Sequence, residues 1–246
     1  MAQQKGIIPL TGTLNGINFY MRKGKPVARK AGGGFTKESH KKGKNMERVV
    51  ENNSEFGDCS RIKKRFKDCL LPYIGMQKNE DLQGRLMQLF LKIKDCDTIS
   101  ERGKRQVRLG LQHTEGKQLL TGFVFTPFNP DVSKGFYDDA TYTYSITNFD
   151  YTQLKYPNGA THFEVHLGVM VFDFADLKAT LFSSAPITIA KGSSLNSFNL
   201  NPTDEPSGNG IKIAVLAYQY KQELNSEVYS LKDKTAYGLK FIEVGS

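Results

Sequence analysis

His162-Phe163-Glu164-Val165-His166-Leu167-Gly168-Val169-Met170-Val171-Phe172 is the stretch on which the fold turns. Phe163, Val165, Leu167, Val169 and Val171 take every second position, the period of a strand with one buried face. His162, Glu164 and His166 fall on the other face, which reads as a polar outer surface. Upstream, Tyr142, Tyr144 and Ile146 alternate with Thr and Ser, and further strand patterns stand at 177–182, 185–190, 211–220, 226–231 and 235–244. Gly, Pro, Asn and Asp clusters separate them, and Asn199–Gly210, with Pro202, Pro206, Gly208 and Gly210, reads as a long exposed loop. From Leu119 onward the pattern predicts about eight short strands, hence an antiparallel β-sandwich.

Before Leu119 the period changes. Met46, Val49, Val50, Phe56, Cys59, Ile62, Phe66, Cys69 and Leu70 keep three- and four-residue spacing, predicting a helix over 45–71 that ends at Pro72 and is weakest at Gly57. Leu82, Leu86, Leu89, Phe90 and Ile93 predict a second helix over 80–94, and 98–110 reads as a third, short one. The first 31 residues read as a β-meander: a strand near 7–14, a hairpin turn at Asn15-Gly16, a strand over 17–22, a turn at Lys23-Gly24-Lys25 and a return strand at 26–30. Gly32-Gly33-Gly34 then opens a lysine-rich loop to about Lys44. The expected architecture is α+β: a basic β-meander and helical module over 1–118, then an all-β sandwich over 119–246.

Charge divides at the same place. Residues 1–118 hold 25 of the 34 Lys+Arg and 12 of the 25 Asp+Glu, a net of +13. Residues 119–246 hold 9 lysines, no arginine and 13 acids, a net of −4. The basic module is therefore a candidate for a polyanion. Its cations cluster, and Arg22, Lys23, Lys25, Arg29, Lys30, Lys41, Lys42, Lys44, Arg61, Lys64 and Arg65 are the candidate contacts. Neighbouring glycines admit a phosphate to the backbone, and arginine grips phosphate oxygens bidentately. Another cluster, Arg102-Gly103-Lys104-Arg105 with Arg108, lies further on. Two partners fit: an acidic surface on a neighbouring subunit, giving a self-assembling or scaffolding protein, or the phosphates of a nucleic acid. The complementary charges of the two modules favour the first, since head-to-tail contacts build rings or filaments. Ten aromatic residues between Phe123 and Tyr156 suit either a sandwich core or a subunit contact.

No catalytic signature emerges. Gly43-Lys44 fails the phosphate-loop pattern at Glu38 and Asn45, and no nucleophile elbow, zinc-protease helix or dinucleotide fingerprint occurs. His162 and His166 share a strand face but stand about 13 Å apart, too far for one zinc; either could still join Glu164 and a group from another strand. The reading is a non-enzymatic protein without metal or cofactor, with an enzyme whose site carries no recognised motif as the remaining alternative. Three cysteines and no export signal point to reduced thiols in the cytoplasm, and no apolar run is long enough for a membrane span.

Gly12-Thr13-Leu14-Asn15-Gly16-Ile17-Asn18-Phe19-Tyr20, the return strand Val27-Ala28-Arg29-Lys30 and the helix motif Glu51-Asn52-Asn53-Ser54-Glu55-Phe56-Gly57 resemble a family of uncharacterised Bacteroidota proteins. The resemblance covers roughly residues 10–110. It implies a bacterial cytoplasmic protein and carries no functional residues.

Overall fold

The computed structural model describes residues 2–3, 10–32, 46–74, 80–125, 131–150, 154–193, 195–231, 233 and 236–245. They fall into two compact units, 1–50 and 51–246.

The first unit is a four-stranded antiparallel sheet in the order β1-β4-β3-β2, built from β1 (Ala2–Gln3), β2 (Gly12–Leu14), β3 (Ile17–Arg22) and β4 (Lys25–Lys30). Its two tight turns each place two successive residues at positive φ: Asn15 (45°) with Gly16 (76°), and Lys23 (50°) with Gly24 (74°). That backbone matches the twist of a two-residue hairpin, so Lys25 joins the strand instead of the turn. Register sorts the side chains. Leu14 pairs Ile17, Phe19 pairs Ala28 and Met21 pairs Pro26, so these six share one face. Asn18 pairs Arg29, Tyr20 pairs Val27 and Arg22 pairs Lys25 on the other.

α1 (Glu47–Cys69), which belongs to the second unit from Glu51 on, runs unbroken through Gly57, turns at Leu70 and continues as the single turn α2 (Leu71–Ile74). Pro72 sits near the start of α2, where its missing N–H has no intrahelical partner to lose. α3 (Glu80–Asp95) follows, then two short helices, α4 (Val107–Gly110) and α5 (Thr114–Thr121). The helix expected over 98–110 forms only in its last four residues. Asp97 bonds the amides of Ile99, Ser100 and Gln106 instead, and Gly103 takes φ 90°, folding the segment into a pinned loop.

β7 (His162–Asp173) and β11 (Ile211–Leu224) form the long central pair of the main sheet. β8 (Lys178–Ser183) and β9 (Ile187–Ala190) pair with the two halves of β7, while β13 (Tyr237–Val244) and β12 (Glu227–Ser230) pair with the two halves of β11. A smaller sheet, β10-β6-β5, comprises β5 (Phe136–Asp138), β6 (Thr143–Ile146) and β10 (Phe198–Leu200). Both sheets are antiparallel, and the chain is α+β.

The main sheet is covered twice. Phe163, Val165 and Leu167 of β7 and Leu216, Tyr218 and Tyr220 of β11 pack with Tyr144, Ile146, Phe198 and Leu200 of the small sheet. On the reverse face Met170, Phe172, Ile213, Val215 and Ala217 pack beneath Phe66 of α1 and Phe90 and Ile93 of α3. The rings of Phe66 and Phe172 lie 4.5 Å apart, those of Phe66 and Phe90 4.9 Å. The expected polar outer face of β7 is therefore polar only in its first half, because helices cover the second. The change of period near Leu119 marks a change of element type inside the second unit: residues on both sides of it share this core.

Candidate polyanion-binding site

The predicted cations stand on both units. Arg22, Lys23, Lys25, Arg29 and Lys30 are all exposed on the N-terminal sheet or its turn. Arg22, Lys25 and Arg29 share the face of Tyr20, and the Arg29 guanidinium lies 5.6 Å from the centre of the Tyr20 ring. The opposite face carries Lys30 alone among apolar side chains. Lys41, Lys42 and Lys44 lie outside the described residues.

In the second unit, Arg61, Lys64 and Arg65 are exposed on α1, while Ile62 and Phe66 are buried on its other side. Spacing of three and four residues sets the three cations on one stripe of the helix. Arg61 also pairs with Asp58 one turn earlier, a contact open to solvent and therefore weak. Lys64 and Arg65 stand in no ion pair among the described residues.

The 102–108 cluster is brought against α1 by a buried carboxylate. Glu55, only 1% exposed, receives Lys94 Nζ at 2.5 Å, Arg105 Nε at 3.0 Å and the Gly103 amide at 2.7 Å. Arg105 reaches Asp95 at 2.8 Å as well. Burial alone would raise the Glu55 pKa, but the bonds from Arg105, Lys94 and Gly103 outweigh it and hold it down at about 2. A glutamate in a helix reads as solvated from sequence, and nothing local announces partners 39 to 50 residues away. Glu55 thus ties the loop that bears Lys104 and leads into Arg108 of α4 to the helix that bears Arg61.

Together these elements frame a cavity of about 510 Å³. Arg61, Lys104, Arg105 and Arg108 line it with Asp58, and Ile62, Val107, Phe174 and Leu177 supply its apolar lining. Phe174 and Leu177 come from the β7–β8 turn, shaped by Asp173 accepting from the Ala175 and Asp176 amides.

The histidine strand resolves into a separate polar cluster. Glu164, 7% exposed, has Lys221 Nζ at 2.5 Å, His166 Nε2 at 2.9 Å and Thr188 Oγ1 at 3.3 Å. The outer face is polar here, as expected, but its carboxylate is buried, since β11 supplies Lys221 and β9 supplies Thr188 to cover it. Burial opposes its ionisation, yet His166 and Lys221 lower its pKa to about 2. Tyr73 of α2 lies over the adjoining Gly168, its hydroxyl donating to Ser183 Oγ at 2.8 Å. Among the described residues no group of three or more His, Cys, Asp or Glu is placed to hold a metal ion. Among them, too, no helix is long and apolar enough to cross a membrane.

Of the aromatic set, Phe125, Tyr144 and Phe149 are buried and Phe136 is 73% exposed on β5, an outer strand of the small sheet. Phe128 and Tyr151 lie outside the described residues. Comparison with protein-family models, curated proteins and solved structures gives no match to this chain.

Proposed function

We propose that this chain is a non-enzymatic assembly or scaffolding protein whose N-terminal unit docks on the acidic surface of a neighbouring subunit. One observation carries the reading. The N-terminal sheet is two-faced: Leu14, Ile17 and Met21 on its apolar face are 61%, 43% and 50% exposed, and cations line the reverse. Val27 is its one buried hydrophobic side chain among the described residues. A small sheet that leaves Leu14, Ile17 and Met21 exposed gains from packing on a partner. Residues 1–50 hold 11 Lys+Arg against 2 Asp+Glu, a net of +9, and the stretch 119–246 of another copy, at −4, offers the acidic side of a head-to-tail contact.

Size-exclusion chromatography with light scattering tests this. The expected outcome is a mass that rises with concentration above the 27.6 kDa of one chain. Replacing Leu14, Ile17 and Met21 together by Ser should return the protein to that mass. A parent that stays monomeric at high concentration overturns the reading.

A second reading, weakly sequence-dependent nucleic-acid binding in the cytoplasm of a bacterium, is favoured by the exposed Arg61, Lys64 and Arg65 stripe. Adding duplex DNA to the same chromatography separates the two, because only this reading expects co-elution at low salt.

A further inference from the structure

We infer that the cavity between α1, the 103–108 segment and the β7–β8 turn binds a small phosphorylated ligand with an apolar body. Its volume, about 510 Å³, lies in the range of small-molecule sites. The lining is mixed as such a ligand requires, with the cations joined by the apolar Ile62, Val107, Phe174 and Leu177.

The cations are not equivalent. Arg105 is committed to Glu55 and Asp95, and Arg61 is offset inside the cavity by Asp58, itself a lining residue. Among the described residues Lys104 pairs only with Glu101, both side chains more than three-quarters exposed, so that a bound dianion displaces the pair at little cost. Arg108 is exposed and stands in no ion pair among the described residues. Lys104 and Arg108 therefore carry the charge that remains for a ligand. Arg108 supplies a planar fork suited to two phosphate oxygens, and Lys104 adds a mobile point charge.

The wall is set before a ligand arrives. Gly103 donates to Glu55, and a Cβ at this glycine would come within 2.9 Å of Glu51 Cγ. The Gln106 amide donates to Asp97 at 2.9 Å, closing the loop from its other end. A segment held by two carboxylates has little freedom left to lose on binding. The site lies within the second unit and does not depend on the assembly reading.

Calorimetric titration of the full chain at low salt tests the inference, with ADP and inorganic pyrophosphate as probes. Saturable one-to-one binding of ADP is expected, tighter than that of pyrophosphate because the base and sugar cover the apolar lining. The double variant Lys104→Gln, Arg108→Gln should weaken ADP binding at least tenfold. The control Lys64→Gln, Arg65→Gln, which removes equal charge from α1 outside the cavity, should leave it unchanged. Absence of binding by both probes overturns the proposal. So does equal weakening by the two variants, which would mark general electrostatic attraction. Equal affinity for ADP and pyrophosphate overturns the role given to the apolar lining.

Discussion

Arg105 Nε donates to Glu55 Oε1 at 3.0 Å across 50 residues of chain, joining the first helix of the second unit to a loop that has almost no regular structure. Lys94 and the Gly103 amide complete the set around the same carboxylate. The loop keeps its shape through this buried side chain and through Asp97, which accepts from the Ile99, Ser100 and Gln106 amides.

Glu55→Gln keeps the volume and removes the charge, leaving Lys94 and Arg105 with Asp95 as their shared anion. Breaking a buried pair from one side costs about 3 kcal/mol. Denaturant unfolding should show a lower midpoint with an unchanged slope, and a variant as stable as the parent would show that the network contributes nothing.

Acid should act through the same group. The folded pKa values of Glu55 and Glu164 are both lowered, to about 2, from an ordinary 4.5. A carboxylate whose folded pKa lies below its unfolded value stabilises the fold fully above the unfolded value and loses that stabilisation as pH falls through the folded one. Stability is therefore expected to decline between about pH 4.5 and pH 2, and the decline should be shallower in Glu55→Gln. Thermal melts across that window check it.

Two glycines should respond oppositely to alanine. At Gly238 a Cβ would fall 1.9 Å from Tyr218 Cζ, a ring buried beneath the small sheet, so the added methyl should destabilise by about 2 kcal/mol or more. At Gly57, inside α1, a Cβ would meet nothing within 4 Å, and alanine should stabilise by about 1 kcal/mol. Paired melting curves decide both.

The pattern of β7 shows how far the sequence could be read. Its alternation locates one core correctly, because Phe163, Val165 and Leu167 do face the small sheet. The second core beneath the helices left a fainter mark: Val169-Met170-Val171-Phe172 is apolar at every position, the sign of a strand buried on both sides. β5 and β10, three residues each, are too short for periodicity to register, and β10 runs on from Phe198 into what reads as loop from Asn199. α5 escapes notice because its eight residues bury only Gly116 and Leu120. Among site residues, the exposed stripe of Arg61, Lys64 and Arg65 is legible from helical spacing alone. The cavity is not, since it needs Glu55 to bring together segments 50 residues apart.

The three thiols should be slow to react. Cys59 is 1% exposed, and burial lifts the pKa of both Cys59 and Cys69 to about 11; burial raises that of Cys96 too. At about pH 8 little thiolate forms, so alkylation of the native protein should lag well behind that of the protein in denaturant. Prompt labelling of Cys59 under native conditions would mean that α1 lifts readily from the sheet.

Replacing Arg61, Lys64 and Arg65 together by Gln should leave the melting temperature unchanged, as all three are exposed. If duplex DNA binds, the slope of log K against log salt should flatten by about two to three, near one for each phosphate that is no longer neutralised. An unaltered slope removes this stripe from the interface.

The order in which the halves of the helix–sheet core leave the ribosome has its own consequence. Phe66, Phe90 and Ile93 are made well before Val215 and Phe241, the sheet residues that shield them. At roughly 5–20 residues per second, the gap between Ile93 and Phe241 lasts on the order of 10 s. During synthesis the two helices thus carry a bare apolar stripe, and the nascent chain needs a chaperone or its own transient collapse until the last strand arrives.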